Sequence, residues 1–213
     1  QQGNTRSNRN AVGLVDLGEH NESIAQGQGR VYNENLILSP NGQDRYPKNE
    51  SNNLYELLTA NPDIRNQNSA KGAIEALPGL RMQNTEDFQV LGSMRRLEPN
   101  EYTVNTQLGY VSLNSPIPTD QVLFVAFNYS LNGGSNQVGE FSDDVPPDGL
   151  NSNVLFVKML KPSVLRVSPY PAWDLMMKNI YNIGYGLKAD GFFLDIKYES
   201  GTSAGKINFL PTG

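Results

Sequence analysis

The 213-residue chain contains no cysteine and a single histidine, and charged residues make up only 18% of it. The lack of cysteine excludes disulfide bonds, thiolate chemistry and zinc sites built on cysteine. Stability must therefore come from packing and hydrogen bonding. The sequence also lacks any apolar run of about 20 residues, the length that a membrane-spanning helix requires. We therefore expect no helix of this chain to cross a bilayer.

Charge and amide content favour an aqueous, extracytoplasmic protein. The formal net charge is -5, whereas binding to a phosphate backbone requires clustered Lys and Arg. We therefore expect no nucleic-acid partner. Uncharged amides and hydroxyls, Asn above all, must supply much of the solubility. The sequence begins at Gln1 with neither an initiator Met nor an apolar signal core, which indicates an internal or processed piece of a longer polypeptide.

The first 92 residues combine short strands, short helices and polar loops. Residues 1–10 carry almost no apolar side chains and are predicted to be a flexible lead. The remainder forms an N-terminal part, residues 11–92, in which apolar spacing and turn residues predict four elements. These are a strand through Val12, Leu14 and Leu17, a strand over 31–38, and helices over 53–59 and 69–77, the last with Ser69 as its N-cap.

Residues 93–213 are predicted to form a β-rich core. Alternating side chains predict a hairpin, with Gly109 free to adopt a positive φ in its turn. The run 122–131 is apolar on both faces at its start, which is typical of a central strand covered on both sides. The predicted strands are 102–105, 109–113, 122–131, 137–141 and 154–160.

The C-terminal segment predicts one longer helix followed by a strand and its return. A helix over 171–183 is indicated by apolar side chains that share one face: Trp173, Met176, Met177, Ile180 and Tyr181. Alternation over 192–198 predicts a half-buried strand, and the Gly-rich stretch 201–205 turns the chain back toward Ile207 and Phe209.

These elements favour a β-dominated α+β fold in which a few short helices pack on antiparallel or mixed sheets. The alternative is an all-β sandwich with helical insertions. The chain is divided into the lead, the N-terminal part and the β-rich core, and the two parts could also form one compact domain.

The sequence gives little support for an enzyme. His20 lies beside Glu19 in a polar turn, and no serine elbow accompanies it, so a Ser-His-Asp arrangement is not expected. A glycosidase would need two positioned carboxylates. The candidate carboxylates are Asp174, Asp190, Asp195 and Glu140. Their spacing does not distinguish them from ordinary surface charge. We therefore expect a non-enzymatic protein without catalytic residues.

One acidic loop has the oxygen-rich character of a calcium site. Calcium takes six to eight oxygen ligands, but the spacing here does not match an EF-hand. The loop residues concerned are Asp143, Asp144, Asp148, Asn151 and Asn153. Acidic loops rich in Pro and Gly are usually solvated, so neither a metal nor a cofactor is expected. Three glycosylation patterns begin at Asn21, Asn49 and Asn128, but short sequences meet this pattern by chance.

Five tracts, in order along residues 85–213, resemble the SprA/Sov family of giant outer-membrane translocons. These proteins belong to the type IX secretion system of Bacteroidetes and are also required for gliding motility. The tracts are 108–114 (LGYVSLN), 120–127 (DQVLFVAF), 137–141 (QVGEF), 173–181 (WDLMMKNIY) and 192–198 (FFLDIKY). The fourth tract is the most specific of them.

The resemblance implies that the chain is one segment of a very large β-barrel protein that exports folded substrates. Because the predicted strands are short and alternate with polar loops and amphipathic helices, we expect a water-exposed segment rather than barrel wall. The implied location is the outer membrane, facing the periplasm or the cell surface. The implied partners are the rest of the barrel, other type IX proteins and secreted substrates.

A standalone cell-surface domain that binds carbohydrate or protein is the alternative. Exposed aromatic rings would then offer stacking faces, and the candidates are Tyr110, Tyr129, Tyr170, Tyr185 and Trp173. Helical spacing places Trp173 on the buried stripe of its predicted helix, which argues against a stacking role for this residue.

Overall fold

The computed structural model describes residues 8–19, 47–131, 133–148, 150, 152–164, 175, 186–188, 190–195, 197–199 and 206–207. The chain divides into two compact units, Gln1–Met176 and Met177–Gly213. The helices of the described part are α1 (Leu54–Ala60), α2 (Pro62–Arg65) and α3 (Ala70–Glu75). Its strands are β1 (Arg9–Leu14), β2 (Phe88–Met94), β3 (Tyr102–Asn105), β4 (Tyr110–Leu113), β5 (Leu123–Val125), β6 (Phe127–Leu131), β7 (Gly134–Val138), β8 (Val154–Lys161), β9 (Tyr198–Glu199) and β10 (Lys206–Ile207).

A mixed four-stranded sheet with the order β2-β1-β8-β5 organises the first unit. The central strands β1 and β8 are parallel, and Val12 is paired with Phe156. The outer strands β2 and β5 run antiparallel to their neighbours. All six residues of β1 are buried, as are the first six of β8, which is expected for strands covered on both faces. The predicted β-dominated α+β fold with short helices packed on a mixed sheet is confirmed.

The larger apolar core lies on the face of the sheet that the helices cover. Val12, Leu14 and Phe156 point into it from the central strands. Fully buried side chains from the helices complete this layer: Leu54, Leu58, Ile64, Ala70 and Ile74. Because short helices are marginal by themselves, this packing provides most of their stability.

The opposite face of the sheet carries a smaller core, in which a glycine allows close approach of an aromatic ring. Ala11, Leu155 and Val157 are buried there. A Cβ atom added to Gly13 would lie 1.9 Å from Cε1 of Phe124, so the ring occupies the space that a side chain would need. Gly13 thereby allows β5 to place its aromatic side chain across the sheet.

Both predicted helices of the N-terminal part are confirmed, with a third between them. Leu54 and Leu58 are buried as the spacing of α1 predicts. The helix α1 ends at Ala60, and Asn61 then begins α2: the Asn61 side chain accepts a hydrogen bond from the Asp63 amide, and proline occupies the first turn. Ser69 precedes α3, but its hydroxyl donates to the Asp63 carbonyl at 2.6 Å and does not cap the helix.

Three strand predictions are also confirmed in the first unit. The strand predicted through Val12, Leu14 and Leu17 is β1, although it ends at Leu14, and the run 154–160 is β8. The predicted hairpin forms from β3 and β4, and Gly109 has a φ of 69° in its turn. The predicted boundary between residues 92 and 93 falls inside β2, so the sheet takes strands from both sides of it.

The prediction of a single central strand over 122–131 was wrong. The run divides into β5, which is an edge strand of the main sheet, and β6, which forms a separate hairpin with β7. Apolar residues occupy both faces only as far as Phe127. From that residue onward the side chains alternate, with Phe127 and Tyr129 on one face and Asn128 on the other, which suits a locally paired hairpin.

The start of the chain is ordered earlier than predicted. Arg9 and Asn10, which were assigned to the flexible lead, belong to β1 and are both buried. The β1 backbone pairs on both sides, and this pairing includes Arg9 with Met94 and Asn10 with Val154. Residues 1–7 of the lead and the predicted strand over 31–38 lie outside the described residues.

In the second unit, β9 and β10 form a two-residue antiparallel pair, which agrees with the predicted return toward Ile207. The predicted half-buried strand over 192–198 was wrong for residues 192–195. Phe192, Phe193 and Leu194 are 45%, 86% and 55% exposed and belong to no strand. Alternation predicts a buried face only where a covering layer exists, and these side chains are left exposed in the structure. The predicted helix over 171–183 lies outside the described residues, apart from Leu175.

Candidate functional site

Two clusters of buried charged side chains border the central strand β8, and both lie in the first unit. One surrounds Glu140, which follows β7 and contacts Phe156. The other joins Asp16 and Glu19, which follow β1, to Lys158 of β8. Charged groups are rarely buried unless they are paired. Among the described residues, these clusters are therefore the candidate sites for chemistry.

In the Glu140 cluster, one carboxylate accepts hydrogen bonds from three residues. Arg65 binds it with both terminal nitrogens, Nη1 at 2.6 Å from Oε2 and Nη2 at 3.0 Å from Oε1. The Tyr55 hydroxyl donates to Oε1 at 2.7 Å, and the Phe156 amide donates to Oε2 at 2.8 Å. Such a two-pronged arginine–carboxylate pair is among the stronger polar contacts in proteins.

Glu140 also takes the place of a neighbouring strand at the edge of β8. Its backbone amide donates to the Phe156 carbonyl at 2.8 Å, while its side chain accepts the Phe156 amide. Both backbone groups of Phe156 that point to this edge are thus satisfied by one residue. Arg65 adds a bond to the Val154 carbonyl at 3.1 Å, and its guanidinium carbon lies 4.0 Å from the centre of the Phe156 ring.

This arrangement fixes the cluster and leaves no part of the carboxylate open to a substrate. Each oxygen of Glu140 accepts two hydrogen bonds, and the residue is 3% exposed. Burial and the hydrogen bond to Glu140 raise the pKa of Tyr55 above its usual range. The phenol therefore stays protonated as a donor. The Glu140 cluster is suited to holding β8 against the helices.

The second cluster brings two carboxyls and one ammonium together beside the parallel strand pair. Lys158 forms an ion pair with Oε1 of Glu19, and its Nζ donates to the Val15 carbonyl. Asp16 Oδ1 accepts the Gly18 amide at 2.7 Å, and Glu19 Oε2 accepts the Leu17 amide at 2.7 Å. The two carboxyls thus shape the turn that leaves β1.

One oxygen in this cluster, Oδ2 of Asp16, is buried and receives no hydrogen bond from the part of the chain that the structure describes. The Glu19 carboxyl is a hydrogen-bonding neighbour of the Asp16 side chain, and a hydrogen bond between two carboxyls requires a proton on one of them. The pKa of Asp16 is raised well above its ordinary value of 3.8, first by burial and next by the charge of Glu19, while Lys158 opposes the shift.

The carboxylates proposed from the sequence for a glycosidase do not form a described site. Glu140 is held by Arg65 as described above. Asp190 and Asp195, in the second unit, are exposed, and Asp195 lies 3.1 Å from Lys197. The fourth carboxylate, Asp174, lies outside the described residues, as does His20, which was considered for a Ser-His-Asp arrangement.

In the acidic loop considered for calcium, the carboxylate oxygens of Asp144 and Asp148 accept hydrogen bonds from nearby backbone and side-chain groups. Asp144 accepts bonds from the Phe141 amide and the Gln137 side chain. Asp148 accepts the Ser152 amide at 2.6 Å and the Ser152 hydroxyl, and these bonds lower its pKa. In the part of the chain that the structure describes, no group of three or more His, Asp or Glu residues is suited to a metal ion. Asp143 is exposed, Asn153 forms a bridge with Asn66, and Asn151 is not described.

Two of the aromatic residues proposed for stacking are described. Tyr110 is half-buried in β4. The Tyr129 hydroxyl donates to the Pro47 carbonyl at 2.7 Å, and its ring centre is 6.2 Å from that of Phe127. The remaining three, Tyr170, Tyr185 and Trp173, lie outside the described residues. At the potential glycosylation position Asn49, the side chain is buried and exchanges two hydrogen bonds with the Gly139 backbone.

Sequence reasoning missed most of the clustered residues. Asp16, Glu19 and Arg65 look like ordinary loop or helix charges in the sequence. Lys158 did carry a signal, because it interrupts an otherwise continuous apolar strand, VLFVKML. A lysine within a strand buried on both faces must find an anion or carbonyl nearby, and this requirement could have directed attention to the end of β1.

Comparisons with known proteins identify no relatives: no protein-family model matches the sequence, and no curated protein matches it. The helices that the structure describes are all too short and too polar to cross a membrane.

Proposed function

We propose that this chain is a non-enzymatic, water-exposed segment of a giant outer-membrane translocon of the type IX secretion system. It serves there as a structural scaffold or protein-interaction module. The observation that carries the proposal is the ordered series of five tracts that resemble the SprA/Sov family, of which 173–181 is the most specific. Its partners are the remainder of the barrel, other type IX components and secreted substrates.

The positions of these tracts in the fold support a scaffold role. The tract 137–141 contains Glu140, whose carboxylate ties the edge of β8 to Arg65 and Tyr55. The tract 120–127 contains β5, which places Phe124 against Gly13. Both tracts therefore carry side chains that connect parts of the first unit to one another.

The β3–β4 hairpin supports an interaction role. Its register places Tyr102 with Leu113, and Val104 with Val111, on one apolar face, while Thr103 and Ser112 lie on the polar face. Val104 is 52% exposed and Val111 is 39% exposed. A two-stranded hairpin is marginal in water without a covering layer, so an apolar face left open favours contact with another surface.

Cross-linking in the native cells tests this proposal. A photo-reactive amino acid is placed at Val104 on the apolar face or, as the control, at Thr103 on the polar face of the same strand. We expect cross-links from position 104 to outer-membrane secretion components and few from position 103. Deleting the gene should abolish type IX secretion and gliding.

Two results would refute the proposal. One is a gene that encodes little beyond these 213 residues. The other is normal secretion after its deletion. Glycan binding that is lost in Tyr110→Ala would instead support the standalone carbohydrate-binding domain.

A further inference from the structure

The turn after β1 contains a buried acid pair whose hydrogen bonding is incomplete without an added proton. Asp16 and Glu19 are 2% and 5% exposed. Asp16 Oδ2 is buried and meets no donor among the described residues, although the Glu19 carboxyl is a neighbour of the Asp16 side chain. Two ionised carboxylates in contact inside a protein repel each other, and each loses its hydration. The geometry is unfavourable for two anions but suits a carboxyl–carboxylate pair.

Lys158 sets the charge balance of this site. It contributes one positive charge and is 6% exposed, and it forms an ion pair with Glu19 and a hydrogen bond with the Val15 carbonyl. With both carboxyls ionised, the buried group would carry a net charge of minus one. With one carboxyl protonated, the group is neutral, and a hydrogen becomes available for Asp16 Oδ2.

We propose that Asp16 and Glu19 form a proton-binding site in which Asp16 Oδ2 carries the hydrogen and donates it to Glu19, so that the cluster with Lys158 is neutral. The bound proton latches the turn that leaves β1 onto β8. Hydroxide removes this proton to form water, which leaves two adjacent carboxylates and one ammonium. The latch then loses its carboxyl–carboxylate hydrogen bond and gains a net negative charge.

The groups around the site agree with a proton as the ligand. Among the described residues, the charged neighbours that act on Asp16 are Glu19 and Lys158. From the loop before β2, Asp87 presents its backbone carbonyl to the Val15 amide, while its carboxylate accepts the Gln83 amide at 2.7 Å. A metal ion would compete directly with the ammonium of Lys158, and two carboxyls do not form a metal-ligand set here.

Carbon-13 NMR of the side-chain carboxyls in the full 213-residue chain tests the proposal directly. We expect the Asp16 carboxyl carbon to have the shift of a protonated acid at neutral pH and to titrate only at higher pH. The infrared band of a protonated carboxyl should be present in the native protein and absent in Asp16→Asn. An Asp16 carboxyl that is ionised at neutral pH would overturn the proposal.

Asp16→Asn also permits a test by stability. Its amide oxygen can still accept the Gly18 bond, and its NH2 group can take the place of the bound proton toward Glu19. At neutral pH, we expect the free energy of unfolding of Asp16→Asn to equal or exceed that of the native protein. The pH dependence of this free energy should correspond to one proton fewer than in the native protein. Asp148→Asn is the matched control: Asp148 is a half-buried aspartate whose carboxylate accepts the Ser152 amide, and this variant should lose stability.

Two further outcomes would refute the inference. One is an Asp16→Asn variant that keeps the full pH dependence of the native protein. The other is a stability that rises with added sodium, potassium or calcium at constant ionic strength and loses this response in Asp16→Asn. That result would assign the site to a metal cation in place of a proton.

Discussion

Replacing Glu140 by glutamine should destabilise the first unit severely without changing the size of the side chain. Glutamine supplies one acceptor oxygen and one NH2 group, but the native carboxylate faces donors at both oxygens. The NH2 group would meet the Phe156 amide or the Arg65 guanidinium, and a buried donor without an acceptor costs about 1–3 kcal/mol. Arg65 would also lose its counter-charge, and breaking a buried ion pair costs about 3–5 kcal/mol.

We therefore expect Glu140→Gln to lower the free energy of unfolding by about 3–5 kcal/mol, a large part of the roughly 5–15 kcal/mol that holds a typical domain. Urea denaturation followed by circular dichroism should show the midpoint lowered by about 2 M, if m is about 2 kcal/mol/M. Amide hydrogen exchange provides a local measurement. The Phe156 amide should exchange faster, since it donates to the side chain that is changed.

Glu101→Gln is the matched control, since Arg95 binds Glu101 with both terminal nitrogens at 2.6 and 2.9 Å. That pair is exposed, with 43% and 36% of the two side chains accessible, whereas Glu140 is only 2% accessible. Exposed pairs contribute little, because water solvates both partners after the change. Equal effects of Glu101→Gln and Glu140→Gln, or unchanged exchange at Phe156, would refute the reasoning.

Three further variants or conditions test the packing and the electrostatics of the first unit. Gly13→Ala should cost about 1–3 kcal/mol by overpacking and should cost much less in a Phe124→Ala background, which a double-mutant cycle of unfolding free energies measures. Tyr55→Phe should cost about 1 kcal/mol through loss of one hydrogen bond to Glu140, and denaturation at fixed pH measures it. The pKa of Asp16 is raised in the folded protein, so protonated Asp16 contributes fully to stability below pH 3.8 and this contribution is lost as the pH rises through the raised pKa. The free energy of unfolding, measured at a series of increasing pH values, should therefore decline.

Local sequence patterns predicted the elements that are stabilised locally. The hairpin of β3 and β4 follows from alternation on either side of a turn in which Gly109 adopts positive φ. The helix α1 follows from the spacing of Leu54 and Leu58. In both cases the residues that decide the structure lie within a few positions of one another, so the sequence contains the information in one window.

Pairings between distant segments could not be predicted in this way. Nothing in the sequence near Val12 indicates that Phe156 will be its neighbour in a parallel pair. The run 122–131 was wrongly assigned to the sheet centre because its apolar start is equally compatible with an edge strand whose ring lies over Gly13. The exposed residues Phe192–Leu194 show the related difficulty that alternation does not specify a covering layer.

The sequence shows which residues are charged, but it does not show which of them become buried or which side chains they contact. Glu140 was named among the carboxylates that a glycosidase would need, but its spacing did not distinguish it from ordinary surface charge. Its actual role depends on Arg65, which comes from α2, and on Tyr55, which comes from α1. Asp16 was not considered, since burial of its turn results from tertiary packing that the local sequence does not reveal.

The positions of the two clusters explain how a nearly uniform apolar strand obtains one register. A slip of one residue moves every side chain of a strand to the opposite face of the sheet. The apolar half of β8 would tolerate such a slip, because Val154–Val157 is buried on both sides. Lys158 would not tolerate the slip, because its ammonium would lose the ion pair with Glu19 and the hydrogen bond to the Val15 carbonyl. Phe156 would also lose both of its backbone hydrogen bonds with Glu140. The hydrophobic residues of β1 and β8 thus stabilise the strand pair but do not determine its register, and the buried charges specify it.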